Sequence, residues 1–281
     1  MKYNLYILSI LVSLFVCIAC TTDAEVTEDD SVNAITSETA ATTENAAQGS
    51  LSYYSLTPGD NWTYDVFIDG NFSSEDVVTV VDPVIVDGLE FTDFEAAVPN
   101  TGFMTNVLAN GLVQENNSVL TYSGVLEFPL DDTNVITIDV DNAIVYDPSQ
   151  ESGTVLSEIS QSMDQDVMGF LLTIDTVITT QQLDNDQTDV TVGDFVFDNV
   201  IKSNLTVNAT ITTTVAGIPF TILEPQDVYN VTNHYAQNVG LVASWVDFQY
   251  ELEDLGFELP FPESLATATD QVLTAFDVSA D

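Results

Sequence analysis

Asn204-Leu205-Thr206-Val207-Asn208-Ala209-Thr210-Ile211-Thr212-Thr213-Thr214-Val215 alternates apolar with polar side chains for almost its whole length. Leu205, Val207, Ala209, Ile211 and Val215 share one side; Asn204, Thr206, Asn208, Thr210, Thr212 and Thr214 share the other. Successive side chains of an extended backbone leave opposite faces, so a period of two over β-branched residues marks a half-buried strand. The same signal recurs on both sides of it. Residues 170–179 read as a more deeply buried strand, and shorter β patterns cover 62–68, 77–86, 89–98, 119–126, 135–145, 194–201, 220–223 and 239–250. Asp69-Gly70-Asn71 and Asp87-Gly88 fall between strands, where tight hairpins need positive φ, and Ala216-Gly217-Ile218-Pro219 follows the longest strand.

Long strands joined by short turns predict an all-β fold: a large antiparallel meander sheet, curved or half-barrel, in place of βαβ units. One C-terminal helix is expected over 263–276, with Leu265, Ala268, Val272, Ala275 and Phe276 on one face, lying across the sheet or its open mouth. The polar stretch 147–166 reads as a long loop or a boundary. Residues 51–281 are expected to form one β-rich extracytoplasmic domain, with two subdomains as the alternative.

The charge balance narrows the function. Forty-five Asp and Glu face two basic residues, Lys2 and Lys202, a net charge of −43. No basic patch can be assembled, so binding to nucleic acid is excluded, and anionic lipid headgroups are repelled. Such an acidic surface suits a salty medium, where ions screen its self-repulsion. Hydrophobic residues make up 45% of the chain, enough to build a sizeable core. Lys202 reads as a residue that ends a strand in solvent.

Residues 1–19 read as a signal peptide: Lys2 is the basic start, and Leu5 to Ile18 an apolar stretch too short for a comfortable membrane span. Val16-Cys17-Ile18-Ala19-Cys20 resembles the bacterial lipobox, with Cys17 where leucine is usual; Cys20 is the expected lipidation site. Cleavage there removes Lys2 and no acidic residue, leaving one lysine against 45 acids, a charge of −44. The only cysteines are Cys17 and Cys20, so the body of the chain has no disulfide. Residues 20–50 are acidic, rich in Thr, Ser and Ala and free of aromatics, which predicts a flexible acidic tether. Their Glu28-Asp29-Asp30 cluster resembles surface-export signals of Bacteroidetes lipoproteins, although it lies further from the cysteine than is usual. The expected location is the outer membrane, lipid-anchored and facing the cell surface, with the periplasmic face as the alternative. Asp30-Ser31-Val32 and Asp175-Thr176-Val177 resemble the short O-glycosylation motif of that phylum.

Three pieces carry a family resemblance. Tyr53-Tyr54-Ser55-Leu56-Thr57-Pro58-Gly59-Asp60-Asn61-Trp62-Thr63-Tyr64 is the first, Gly193-Asp194-Phe195-Val196-Phe197-Asp198-Asn199-Val200-Ile201 the second, and His234-Tyr235-Ala236-Gln237-Asn238-Val239-Gly240-Leu241-Val242 the third. In order and spacing they resemble a group of uncharacterised lipoproteins common in Bacteroidetes, whose members more often carry lysine where Gln237 stands. The resemblance implies a β-rich extracytoplasmic lipoprotein and brings no catalytic residues with it. On its own chemistry, Trp62 reads as core packing at a sheet edge.

Catalytic signals are weak. His234 is the only histidine, and no Gly-x-Ser-x-Gly elbow accompanies it. No glycine-rich loop with a lysine cradles phosphate. Asp184-Asn185-Asp186-Gln187-Thr188-Asp189 offers Asp184, Asp186 and Asp189 as candidate calcium ligands, but lacks the central glycine and terminal glutamate of an EF-hand; a polar turn is the plainer reading. Asp139-Val140-Asp141-Asn142 is a second, weaker candidate. No other cofactor is expected. The favoured role is a non-enzymatic binding module for a sugar, peptide, protein or apolar ligand. A structural or adhesive surface protein and a carboxylate-dependent glycoside hydrolase are the alternatives.

Overall fold

A computed structural model describes residues 52–129, 135–167, 169–183, 189–215, 217–256 and 262–279. All of them lie in one unit, Ala47–Asp281. Its strands are β1 (Asn61–Ile68), β2 (Asn71–Val80), β3 (Val84–Val86), β4 (Leu89–Ala96), β5 (Gly111–Asn116), β6 (Val119–Pro129) and β7 (Val135–Tyr146). They continue with β8 (Val155–Val167), β9 (Phe170–Gln182), β10 (Val190–Val192), β11 (Phe195–Phe197), β12 (Val200–Val215), β13 (Ile218–Ala236), β14 (Gly240–Glu251) and β15 (Ser264–Asp277). One short helix, α1 (Phe103–Ala109), interrupts them.

The antiparallel meander is as expected, and it curls further than a half-barrel. The strand order is β7-β6-β5-β4-β2-β1-β15-β14-β13-β12-β9-β8, with β3 beside β4 and β10-β11 as a separate hairpin. The tight turns follow the predicted chemistry. Asp69 (φ 50°) and Gly70 (φ 74°) form the two-residue loop between Ile68 and Asn71, a backbone that aspartate tolerates and glycine adopts freely.

β7 and β8 end the sheet path, yet they face each other along a seam. Among the described residues no ladder joins them; side chains do. The Ile144 N–H donates to Ser157 Oγ at 2.8 Å, Gln161 Nε2 to Asp139 O at 2.8 Å and Gln165 Nε2 to Val135 O at 3.0 Å, while Thr180 Oγ1 of β9 donates to Ile144 O at 2.6 Å. The sheet is thus nearly closed into a barrel, with glutamine amides bonding to the β7 edge where neighbouring backbone would otherwise do so.

Inward residues fill most of the interior. At one end, Tyr54 meets Trp62 at 5.2 Å and Phe94 at 5.7 Å, and Tyr146 meets Tyr235 at 4.9 Å. Trp62 is fully buried, as its core reading requires, but in a strand flanked by β2 and β15 and not at a sheet edge; its indole N–H donates to Val239 O at 2.8 Å. The Tyr64 hydroxyl donates to Leu241 O at 2.8 Å. Burial pushes the phenols of Tyr54, Tyr64, Tyr146 and Tyr235 well above their ordinary range. Farther along, β6 meets β13 and β14: Phe128 lies 5.3 Å from Phe248, and the Tyr229 hydroxyl donates to Glu127 O at 2.8 Å.

Three expectations are corrected. The C-terminal helix over 263–276 is instead strand β15, paired with β1 on one side and β14 on the other. Thr267, Thr269, Val272 and Thr274 are β-branched, and two flanking ladders supply hydrogen bonds along both of its edges, so sheet pairing prevails over a short 3.6-residue pattern. Polar 147–166 is largely strand β8: Glu158, Ser160, Ser162, Asp164 and Asp166 point to solvent, while Ile159, Gln161, Met163 and Gln165 are half-buried. Lys202 does not end a strand; it lies within β12, half-buried, opposite His234.

The seam should be the weakest boundary of the barrel. Gln161→Ala and Gln165→Ala are each expected to cost up to about 1 kcal/mol in urea unfolding. They should speed amide exchange in β7 and β8 ahead of β1 and β15. Uniform acceleration across all strands would refute the seam's independence.

Candidate functional site

Helix α1 is fixed to the inner surface of the sheet by polar contacts. Asp76 of β2 is fully buried; it accepts the Gly102 N–H at 2.8 Å, the Thr101 N–H at 3.3 Å and the Ser74 hydroxyl at 2.6 Å. Gln271 of β15 donates through Nε2 to Thr105 Oγ1 at 3.1 Å and accepts the Thr105 N–H at 3.4 Å. The Tyr122 hydroxyl lies 3.1 Å from Val107 O and 3.0 Å from Val125 O, and burial pushes its pKa up to about 12. Gly102 is required by close approach: a Cβ there would sit 2.6 Å from Gln271 Oε1 and 2.8 Å from Asp76 Oδ2.

Beside α1 the interior opens into a cleft of about 650 Å³. Phe103, Asn106 and Asn110 line it from the helix side, and Glu127 and Pro129 from the end of β6. Val246, Phe248, Thr267 and Thr269 line it from the inner face of β14 and β15. Three rings form a connected apolar wall: Phe103 to Tyr229 at 5.1 Å and Tyr229 to Phe248 at 4.8 Å. Amides of Asn106 and Asn110 and hydroxyls of Thr101, Thr267 and Thr269 add uncharged polar groups. Glu127, exposed at the cleft's edge, is the one carboxylate among the described lining residues. Burial, then repulsion from Glu127, raises the Tyr229 phenol. The chemistry is that of a binding cleft: apolar contact, a few oriented polar groups and one negative charge.

The residues singled out from sequence fare differently. Cys20, Asp184 and Asp186 lie outside the described residues. Asp189 is described and lies beside Asp198; a hydrogen bond that needs a proton on one of the two carboxyls, then their mutual repulsion, raises the Asp198 pKa. Asp139 and Asp141 are both exposed, on the side of β7 opposite buried Val140. Among the described residues, no three His, Cys, Asp or Glu side chains come together as a metal-binding set. Thr176, at the centre of the second glycosylation-like motif, is buried inside β9 with its hydroxyl unpartnered. His234 stands on the outward side of β13, its ring 4.6 Å from that of Trp245. Burial first, and the Lys202 charge second, lower its pKa to about 4, so the imidazole is neutral at pH 7.

Phe103, Asn106, Tyr229 and Phe248 were not singled out in the sequence reading. The alternation Val246, Phe248, Tyr250 identifies an inward face, but nothing local says that this part of the face borders open space.

No known protein-family description matches the chain. No curated protein matches it either. Among solved structures, it is similar to a crystal structure of a "putative lipoprotein" from Parabacteroides distasonis, at 14% identity and a TM-score of 0.31, covering 82% of this chain and all of that one. A likeness that slight bears on neither fold nor function.

Gly102→Ala is expected to lose about 1–3 kcal/mol of stability, because the Gln271 amide and the buried Asp76 carboxylate must give way. Retained stability with unshifted amide signals in α1 would show the contact to be soft. For His234, a folded pKa below the unfolded value of about 6.5 means the native state resists protonation. Its contribution is therefore present above pH 6.5 and is lost as pH falls toward 4. The imidazole C2–H should titrate near pH 4 by NMR. His234→Leu should stay flatter than the parent between pH 6.5 and 4; a midpoint near 6.5 would refute the burial argument.

Proposed function

We propose that this chain is a cell-envelope lipoprotein, acylated on Cys20 at the outer membrane and facing the cell surface, whose near-closed barrel binds a small, mainly apolar molecule without transforming it. The cleft beside α1 is the observation that carries the binding half of this reading. At about 650 Å³ it falls within the range of small-molecule sites, and it combines an aromatic wall with a few polar groups. The lipobox-like end of the apolar leader supports the anchoring half. The described lining residues include one carboxylate, Glu127, where the two-carboxylate route of glycoside hydrolysis needs a pair. A structural or adhesive role draws on a different observation, the tight aromatic packing elsewhere in the interior. Calcium at Asp184, Asp186 and Asp189 stays a proposal alongside these.

One preparation tests the parts separately. Cys20→Ala is expected to abolish fatty-acid labelling and move the protein from the membrane to the soluble fraction. Native mass spectrometry of that soluble form should show an added mass that leaves on organic extraction. A bare polypeptide mass would favour the structural role. Loss of a calcium-sized mass with chelator would support the acidic turn as a site.

A further inference from the structure

The geometry points to a cationic occupant: we propose that the cleft selects amphiphiles carrying a positively charged, alkylammonium-type group over neutral or anionic ones. This rests on the reading that the cleft binds a small apolar molecule, and adds the charge of that molecule. Three observations combine. First, the wall offers rings that contact one another, Phe103, Tyr229 and Phe248, and aromatic faces attract ammonium groups through their quadrupoles. Second, Glu127, exposed at the end of β6 between buried Leu126 and Phe128, is the one carboxylate among the described lining residues, and its charge is felt by Tyr229. The other polar lining groups are amides and hydroxyls, which can donate or accept but do not neutralise an anion.

Third, no positively charged side chain is available beside the cleft to offset a negative headgroup. Lys202 is the one Lys or Arg of the mature chain, and it is on the outward face of β12, five positions before Val207, the cross-strand partner of Tyr229. A carboxylate or phosphate in the cleft would meet Glu127 within a field set by a net charge near −44, with no counter-charge to offset its desolvation. The same field concentrates small cations around the molecule. Field and local wall therefore favour the same sign.

The test is calorimetric titration of the Cys20→Ala mature chain, in 0.15 M salt, with octyltrimethylammonium, 1-octanol and octanoate. The ammonium probe is expected to bind about tenfold more tightly than the alcohol, with no binding by octanoate. Glu127→Gln should weaken the ammonium probe severalfold and leave the alcohol unchanged, and Phe103→Leu should weaken the ammonium probe more than the alcohol. Both variants are to be checked for native thermal unfolding. Equal or tighter binding of the alcohol overturns the charge selection while leaving an apolar binding cleft intact. Binding of none of the three overturns the cleft reading itself. Ammonium binding unchanged in both variants would reflect condensation on the acidic surface, and would also overturn the inference.

Discussion

Pairing of the first strand with the last is the contact on which the rest of the molecule depends. β1 and β15 align from Asn61 opposite Asp277 to Ile68 opposite Thr269. The ladder sits in the middle of the sheet, so it joins a β2-to-β7 half to a β8-to-β14 half that otherwise share no ladder. Its Asn61–Asp277 end is secured by Asp60, which accepts the Ser279 N–H at 2.8 Å as well as contacts from Ser55 and Thr57, and its other end by Asp69, which accepts the Ala268 N–H at 3.0 Å. Closing so long a loop adds only slowly to the entropic cost, but it delays folding, since the contact rewards the chain only after most of it is ordered.

An almost cation-free chain must treat buried acids in an unusual way. Asp60 and Asp76 are buried, and neither is offered an arginine or lysine partner. Both are satisfied by backbone N–H groups and serine hydroxyls. Such donors stabilise a carboxylate without needing a counter-ion. Asp76 uses this arrangement to hold the start of α1. A feature of composition, the near-absence of basic residues, thereby becomes a feature of architecture: carboxylates position backbone where salt bridges might otherwise do so.

The cleft is a consequence of how the barrel is filled. One end is packed by Tyr54, Trp62, Tyr146 and Tyr235, leaving a cavity of only about 40 Å³ beside Tyr54 and Tyr235, and Phe128 of β6 packs on Phe248 of β14 farther along. α1, a helix of seven residues, takes a place on the inner surface where another strand's side chains could have interdigitated. A short helix does not fill a pleated surface as a neighbouring sheet does, and the space beside it is lined by Phe103 and Asn106.

The all-β class, the meander and the hairpins at Asp69-Gly70 and Asp87-Gly88 were determined by the sequence alone, because period-two alternation and turn chemistry are local properties. The burial of Trp62 was equally legible. Local patterns misread 263–276, whose spacing fits a helix in isolation, and polar 147–166, where glutamines stand in for apolar residues at a seam. Only the tertiary structure decided those, because strand pairing with β1 and β14, and seam bonds to β7, come from segments distant in sequence. The cleft was not legible for the same reason. Phe103, Tyr229 and Phe248 come from three separate elements, and a cavity is the space that packing leaves unfilled, a quantity no single stretch of sequence carries.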